Sequence, residues 1–104
     1  NTTGSNNIAN GTNSLYSNTT GDDNIANGTN SLYYNTTGSS NSANGSHSLF
    51  NNITGSNNTA IGTQSAYQIV TTGGTTPNTT IGYQALFGGS GTASANTAYD
   101  NVAI

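Results

Sequence analysis

This chain is a tandem repeat, and that limits its possible folds more than anything else in it. Asn1-Thr2-Thr3-Gly4 recurs, at a constant spacing of seventeen, as Asn18-Thr19-Thr20-Gly21, as Asn35-Thr36-Thr37-Gly38 and as Asn52-Ile53-Thr54-Gly55. A glycine series keeps the same phase: Gly11, Gly28, Gly45, Gly62 and Gly82, the last step widening to twenty. Four positions before each glycine stands Asn7, Asn24, Asn41, Asn58 or Asn78, and Asn101 opens a sixth copy. After the glycine come Ser14, Ser31, Ser48, Ser65 or Ala85, and next Leu15, Leu32, Leu49, Ala66 or Leu86. An aromatic follows every time: Tyr16, Tyr33, Phe50, Tyr67 and Phe87. Such a period is too short for a helical pair or a propeller blade and suits one coil of a β-solenoid. The dominance of Asn, Thr and Gly also opposes helix.

The expected fold is therefore all-β, a parallel β-solenoid of about six seventeen-residue coils. They form a single repeat array over 1–104, with coils at about 1–17, 18–34, 35–51, 52–71, 72–88 and 89–104. Insertions fall near Gly73-Gly74-Thr75-Thr76-Pro77 and Gly88-Gly89-Ser90-Gly91. Both termini interrupt the motif, which predicts a fragment of a longer repetitive chain. Each copy suggests two short strands, one through Asn7-Ile8-Ala9-Asn10 and one through Asn13-Ser14-Leu15-Tyr16. The Asn-Thr-Thr-Gly segments and the Asn-Gly pairs at 10–11, 27–28 and 44–45 supply turn chemistry. In later copies Ile61, Ile81 and Ile104 replace the asparagine of that pair.

Leu, Ile, Val and Phe together fall below the roughly 20% under which chains often stay disordered. Net charge, however, is only −3, and the regular apolar spacing argues for a folded array. With no Lys or Arg, the chain has no cation to neutralise phosphates, so neither nucleic acid nor an anionic membrane surface is an expected partner. No apolar run is long enough for membrane insertion as a helix. Cysteine is absent, which excludes disulfides and thiolate metal sites.

A lone coil cannot offset its own ordering entropy, because Ile8, Leu15 and Tyr16 bury too little. Stacking adds ladder hydrogen bonds and sets like on like. Neighbouring strand residues point to opposite faces, so in each coil Leu and the aromatic must diverge. One of the two ladders through Leu15, Tyr16, Leu32, Tyr33, Leu49, Phe50, Tyr67, Leu86 and Phe87 then lies outside. Exposed apolar ladders mark interfaces, which predicts self-association as a homotrimer or a filament.

Asn58-Thr59-Ala60-Ile61-Gly62 and Asn101-Val102-Ala103-Ile104 resemble the Asn-Ser-Val-Ala-Ile-Gly signature of YadA-like head repeats. Asn78-Thr79-Thr80-Ile81-Gly82-Tyr83-Gln84-Ala85-Leu86 is similar to repeats of phage tail fibres and bacterial surface fibres. The resemblance covers essentially the whole chain. It implies a left-handed β-roll, packed as a trimer, in a stalk or adhesive head. It also implies an extracellular, cell-surface or virion location. The departures are Asn10, Asn27 and Asn44, in the place of an inward Ile, and Ser42 where Ile8 and Ile25 stand. A stacked asparagine ladder satisfies itself through amide bonds along the axis; alternatively, that edge faces water.

No enzyme is expected and no cofactor. One histidine and three Asp give no positioned acid–base pair. His47 shares its repeat position with Asn13, Asn30, Gln64 and Gln84 and reads as a surface residue. Asp22-Asp23 reads as a pair of solvated turn carboxylates. Gly88-Gly89-Ser90-Gly91 lacks the calcium nonapeptide's Asp, since Ala93 stands there, and it lacks a phosphate-loop Lys. Candidate N-glycosylation acceptors in Asn-x-Ser/Thr sequons are Asn1, Asn10, Asn18, Asn27, Asn35, Asn44, Asn52, Asn57 and Asn78. Asn- and Thr-rich turns also generate that motif by composition. The functional expectation is a structural fibre segment that carries displayed glycans on some of these sites. The alternatives are an adhesive head that binds a cell-surface glycan or receptor, and an ice-binding face built on Thr12, Thr29, Ser46 and Thr63.

Overall fold

The computed structural model describes residues 2–69, 77–88 and 101–104, of which 101–103 are described by backbone alone. Asn1, the loop glycines 73 and 74, the segment 89–91 and Ala93 lie outside the described residues. Six short strands follow one another: β1 (Ile8–Asn10), β2 (Ile25–Asn27), β3 (Ser42–Asn44), β4 (Thr59–Ile61), β5 (Asn78–Ile81) and β6 (Asn101–Ala103). They form one parallel sheet in chain order, so each strand lies on its predecessor and the chain is a β-solenoid. Six strands make five coil-to-coil steps rather than six complete turns. Register is strict: Ala9 pairs with Ala26, Ala26 with Ala43 and Ala43 with Ala60. The widened step keeps it too, with Thr59 opposite Thr79 and Ala60 opposite Thr80.

Backbone hydrogen bonds run mainly between coils, and not only in the strands. Ile8 N–H donates to the Asn24 carbonyl at 2.8 Å, and Gly28 N–H donates to that of Asn10 at 2.8 Å. In the corner, Leu15 N–H reaches the Ser31 carbonyl and Ser17 N–H reaches that of Tyr33, both at 3.0 Å.

Among the described residues there is one strand per coil. The second strand expected over Asn13-Ser14-Leu15-Tyr16 is a corner instead, with Asn13 at φ 58° and Leu15 at φ 50°. Two tight turns make it, Ser14 N–H donating to Gly11 O and Asn18 N–H to Leu15 O, each at 3.2 Å. Left-handed backbone at leucine costs roughly 1–2 kcal/mol, yet it recurs at Leu32, Leu49 and Leu86. It aims the leucine inward and frees the next residue to point out. Leu and the aromatic therefore diverge as expected, but through a left-handed corner rather than through strand pleating.

The interior is narrow. Ala26, Ala43, Ala60 and Thr80, at the strand centres, are fully buried. The flanking strand positions point outward: Ile8 is 57% exposed, Ile25 40%, Ile61 44% and Ile81 41%. This corrects two expectations. Ile8 is not a core residue, and Asn10, Asn27 and Asn44 replace no inward Ile, because the isoleucines in that column face out. A three-residue strand presents only its middle side chain to the core, and a methyl group suffices to fill the gap there.

Opposite the alanines lie Leu15, Leu32, Leu49 and Ala66 in one buried rank, against which Leu86 packs. Ser31, Ser48 and Ser65 are buried beside them, and the hydroxyls of Ser31 and Ser48 donate to the carbonyls of Gly28 and Gly45 at 2.9 Å.

The rest of the core is amide. Asn18, Asn35 and Asn52 form one buried rank; Asn24, Asn41, Asn58 and Asn78 form another. Asn35 Nδ2 donates to Asn18 Oδ1 at 2.8 Å and to the Gly38 carbonyl at 2.9 Å. Asn41 Nδ2 donates to Asn24 Oδ1 at 3.0 Å and to the Gly55 carbonyl at 2.8 Å. Buried polar atoms are costly unless bonded, and here each rung satisfies the next. Glycine is needed where these ranks crowd: a Cβ on Gly38 would strike the Gly55 carbonyl and lie 2.5 Å from Asn35 Oδ1.

Candidate functional site: stacked ranks on the outside of the coil

Every outward position repeats along the axis, so surface chemistry comes in ranks rather than pockets. The most developed is aromatic. Tyr16 stacks on Tyr33 at 5.1 Å between ring centroids, Tyr33 on Phe50 at 5.4 Å, Phe50 on Tyr67 and Tyr67 on Phe87 at 5.0 Å. Interplanar angles range from 7° to 26°. Tyr34 meets Tyr33 and Phe50 edge-on at 4.7 and 5.2 Å. The faces of the inner rings are thus covered by their neighbours, and Tyr33, Phe50 and Tyr67 are half-buried. Tyr16 is 64% exposed and Phe87 38%.

The nine residues expected to form a self-association ladder divide by side. Leu15, Leu32 and Leu49 are buried and Leu86 packs on the core, so none of the leucines is offered to a partner. Tyr16, Tyr33, Phe50, Tyr67 and Phe87 make the outer rank. The sequence left the choice between the two ladders open, and the left-handed leucine decides it.

A second outer face is the outward side of the sheet. One column holds Ile8, Ile25, Ser42, Thr59 and Thr79, and the other holds Asn10, Asn27, Asn44, Ile61 and Ile81. Asn10 Nδ2 donates to Asn27 Oδ1 at 3.0 Å, and Asn27 Nδ2 to Asn44 Oδ1 at 3.3 Å. The asparagine ladder expected in that column is present, and it faces water. Thr12, Thr29 and Thr63 are exposed, with Ser46 half-buried among them.

Asp22 and Asp23 serve the stack. Asp22 Oδ1 accepts from Ser5 N–H at 2.6 Å, and Asp23 Oδ1 accepts from Asn6 Nδ2 at 3.1 Å. His47 sits in the rank of Asn30 and Gln64, all left-handed. Its Nε2 lies 3.1 Å from Asn30 Nδ2 and its Nδ1 2.9 Å from Ser46 Oγ, and its ring is 5.3 Å from that of Phe50. Among the described residues no three His, Cys, Asp or Glu come together where they could hold a metal ion. No helix among them is long and apolar enough to cross a membrane.

The sequons separate by burial. Asn18, Asn35, Asn52 and Asn78 are interior, at 2% exposure or less. Asn10, Asn27 and Asn57 are exposed and Asn44 half-buried. Sequence reasoning took Asn18, Asn35 and Asn52 for turn formers and Asn78 for the start of a strand, and so missed that they are core. The available signal was their strict recurrence, which a solvent-facing turn does not require.

No protein-family model matches the chain, and neither a curated protein nor a solved structure matches it.

Proposed function

We propose that the chain is a structural segment of an extracellular or virion fibre that associates with copies of itself, most simply as a homotrimer, along its aromatic rank. The observation that carries this reading is the uninterrupted stack of Tyr16, Tyr33, Phe50, Tyr67 and Phe87, exposed at both end rings and half-buried between them. Rings so arranged have little free face on which to stack a sugar, but the rank as a whole offers a long aromatic strip, with the hydroxyls of its three tyrosines, to another strip of the same pitch. Aromatic pairs add about 0.5–1.5 kcal/mol each beyond burial, and a repeating strip multiplies that gain. The resemblance of Asn58–Gly62 and Asn78–Leu86 to YadA-like head and tail-fibre repeats supports the same reading. The outward asparagines add a surface on which glycans can be displayed.

Native mass measurement beside the denatured mass tests it. Assembly in integer multiples is expected, and the double substitution Tyr33→Ser/Phe50→Ser should shift it toward single chains while the β circular dichroism persists. A parent chain that remains monomeric up to about 1 mM, the concentration matching a binding free energy near −4 kcal/mol, would refute the reading.

A further inference from the structure

Sequons fall at two phases of the repeat, and the fold treats the phases oppositely. An asparagine Nδ2 carries two hydrogens, and an N-linked sugar replaces one of them. At Asn35 and Asn52, in the interior, both are in use. Asn35 spends its pair on Asn18 Oδ1 at 2.8 Å and the Gly38 carbonyl at 2.9 Å. Asn52 spends its pair on Asn35 Oδ1 at 3.1 Å and the Gly55 carbonyl at 2.9 Å. Both side chains are fully buried, and beside Asn35 the packing is tight enough that a Cβ added on Gly38 would lie 2.5 Å from its Oδ1.

The outer rank differs in hydrogen count as well as in exposure. Asn10 Nδ2 commits one hydrogen to Asn27 Oδ1, and Asn27 Nδ2 commits one to Asn44 Oδ1. Each can give its other hydrogen to a saccharide and keep its rung of the ladder.

We infer that, among the sequons of the described residues, N-linked saccharide is compatible with the folded coil only on the outer rank Asn10, Asn27 and Asn44 and at exposed Asn57. The sequons at Asn18, Asn35, Asn52 and Asn78 are core amides whose modification prevents the coil from closing. The modifying step forms a bond from Nδ2 to C1 of a saccharide carried on a lipid diphosphate. The C1–O bond breaks, the diphosphate leaves with its electron pair, and Nδ2 releases one proton. An enzyme that works on the unfolded chain meets both phases alike, so the order of folding and glycosylation decides whether this chain folds. The inference extends the display part of the fibre reading but stands on the single coil. Chain association is read separately by mass, so either can fail alone.

The test is expression of the 104-residue chain in a host that attaches N-linked sugar to nascent chains. It is compared with the variant Thr3→Ala/Thr20→Ala/Thr37→Ala/Thr54→Ala/Thr80→Ala. That variant removes the inner sequons and Asn1's while it keeps every core asparagine, and alanine already stands at 26, 43 and 60 in the rank of Thr80. The variant should be β-rich, protease-resistant and sugar-bearing at one or more of Asn10, Asn27, Asn44 and Asn57. Parent chains with sugar at Asn35 or Asn52 should be absent from the protease-resistant fraction, and an inhibitor of saccharide–lipid synthesis should restore the parent to it. Three results would overturn the inference: resistant, β-rich parent chains with sugar on Asn35 or Asn52; a folded variant bare at all four outer sites; or a variant that folds only when glycosylation is inhibited.

Discussion

Replacing Asn41 by alanine should be far more damaging than replacing Asn27, although both are asparagines in stacked ranks one coil from an identical neighbour. Asn41 is 1% exposed. Its Nδ2 serves Asn24 Oδ1 at 3.0 Å and the Gly55 carbonyl at 2.8 Å. Its Oδ1 accepts from Asn58 N–H at 3.0 Å and Asn58 Nδ2 at 3.1 Å. Alanine leaves the Asn58 N–H and one Asn58 Nδ2 hydrogen without this acceptor inside the coil, while the Gly55 carbonyl keeps its second donor, Asn52 Nδ2 at 2.9 Å. Each orphaned buried group costs about 1–3 kcal/mol, and the vacated volume adds a cavity term. The expected loss is about 3–6 kcal/mol, a large share of the roughly 5–15 kcal/mol that holds an ordinary domain together. Asn27 is exposed, water replaces its partners, and Asn27→Ala should stay within about 0.5 kcal/mol. Because repeat arrays unfold coil by coil, denaturant melts should be read beside amide hydrogen exchange. Exchange should accelerate around residues 38–58 in Asn41→Ala and nowhere in Asn27→Ala. Two variants of indistinguishable stability would refute the claim that amides form this core.

Other substitutions test single features. Gly38→Ala, which drives a Cβ into the Gly55 carbonyl and Asn35 Oδ1, should cost several kcal/mol, about the range for severe overpacking, and lower the melting temperature; an unchanged melt would count against the tight coil spacing. Leu32→Ala removes a fully buried side chain but sets a residue already used at Ala66 in the same rank, so the loss should lie near the lower end of about 2–5 kcal/mol by denaturant titration. His47→Gln places in the rank the residue found at Gln64 and Gln84; stability should move by no more than about 0.5 kcal/mol, and a larger loss would assign the imidazole a role that its repeat position does not suggest.

The period told the most. Repeats of constant length that return the same side chain at Asn24, Asn41 and Asn58 implied the parallel stacking and its register. What a period does not contain is its phase relative to the core. Ile8 and Leu15 are both apolar and both recur, yet one faces water and the other is buried, because only the middle of a three-residue strand points inward. The corner at Asn13 and Leu15 was illegible for a related reason. Leucine rarely takes left-handed backbone, so nothing local announced it; the stack imposes it by supplying ladder partners on each side. The asparagines at 18, 35 and 52 carried a double meaning, since the chemistry that suits a turn also suits a self-satisfying core rank. At the surface, the recurrence marked the aromatic rank but left open whether it or the leucines lay inside.

Thr59 keeps its place opposite Thr79 although three surplus residues enter that coil, and Asn78 Nδ2 still finds Asn58 Oδ1 at 3.0 Å. Length added between these two strands leaves their register untouched, so whole copies can add or drop out as units. A gene of this kind can lengthen or shorten its product by unequal exchange without redesigning any contact.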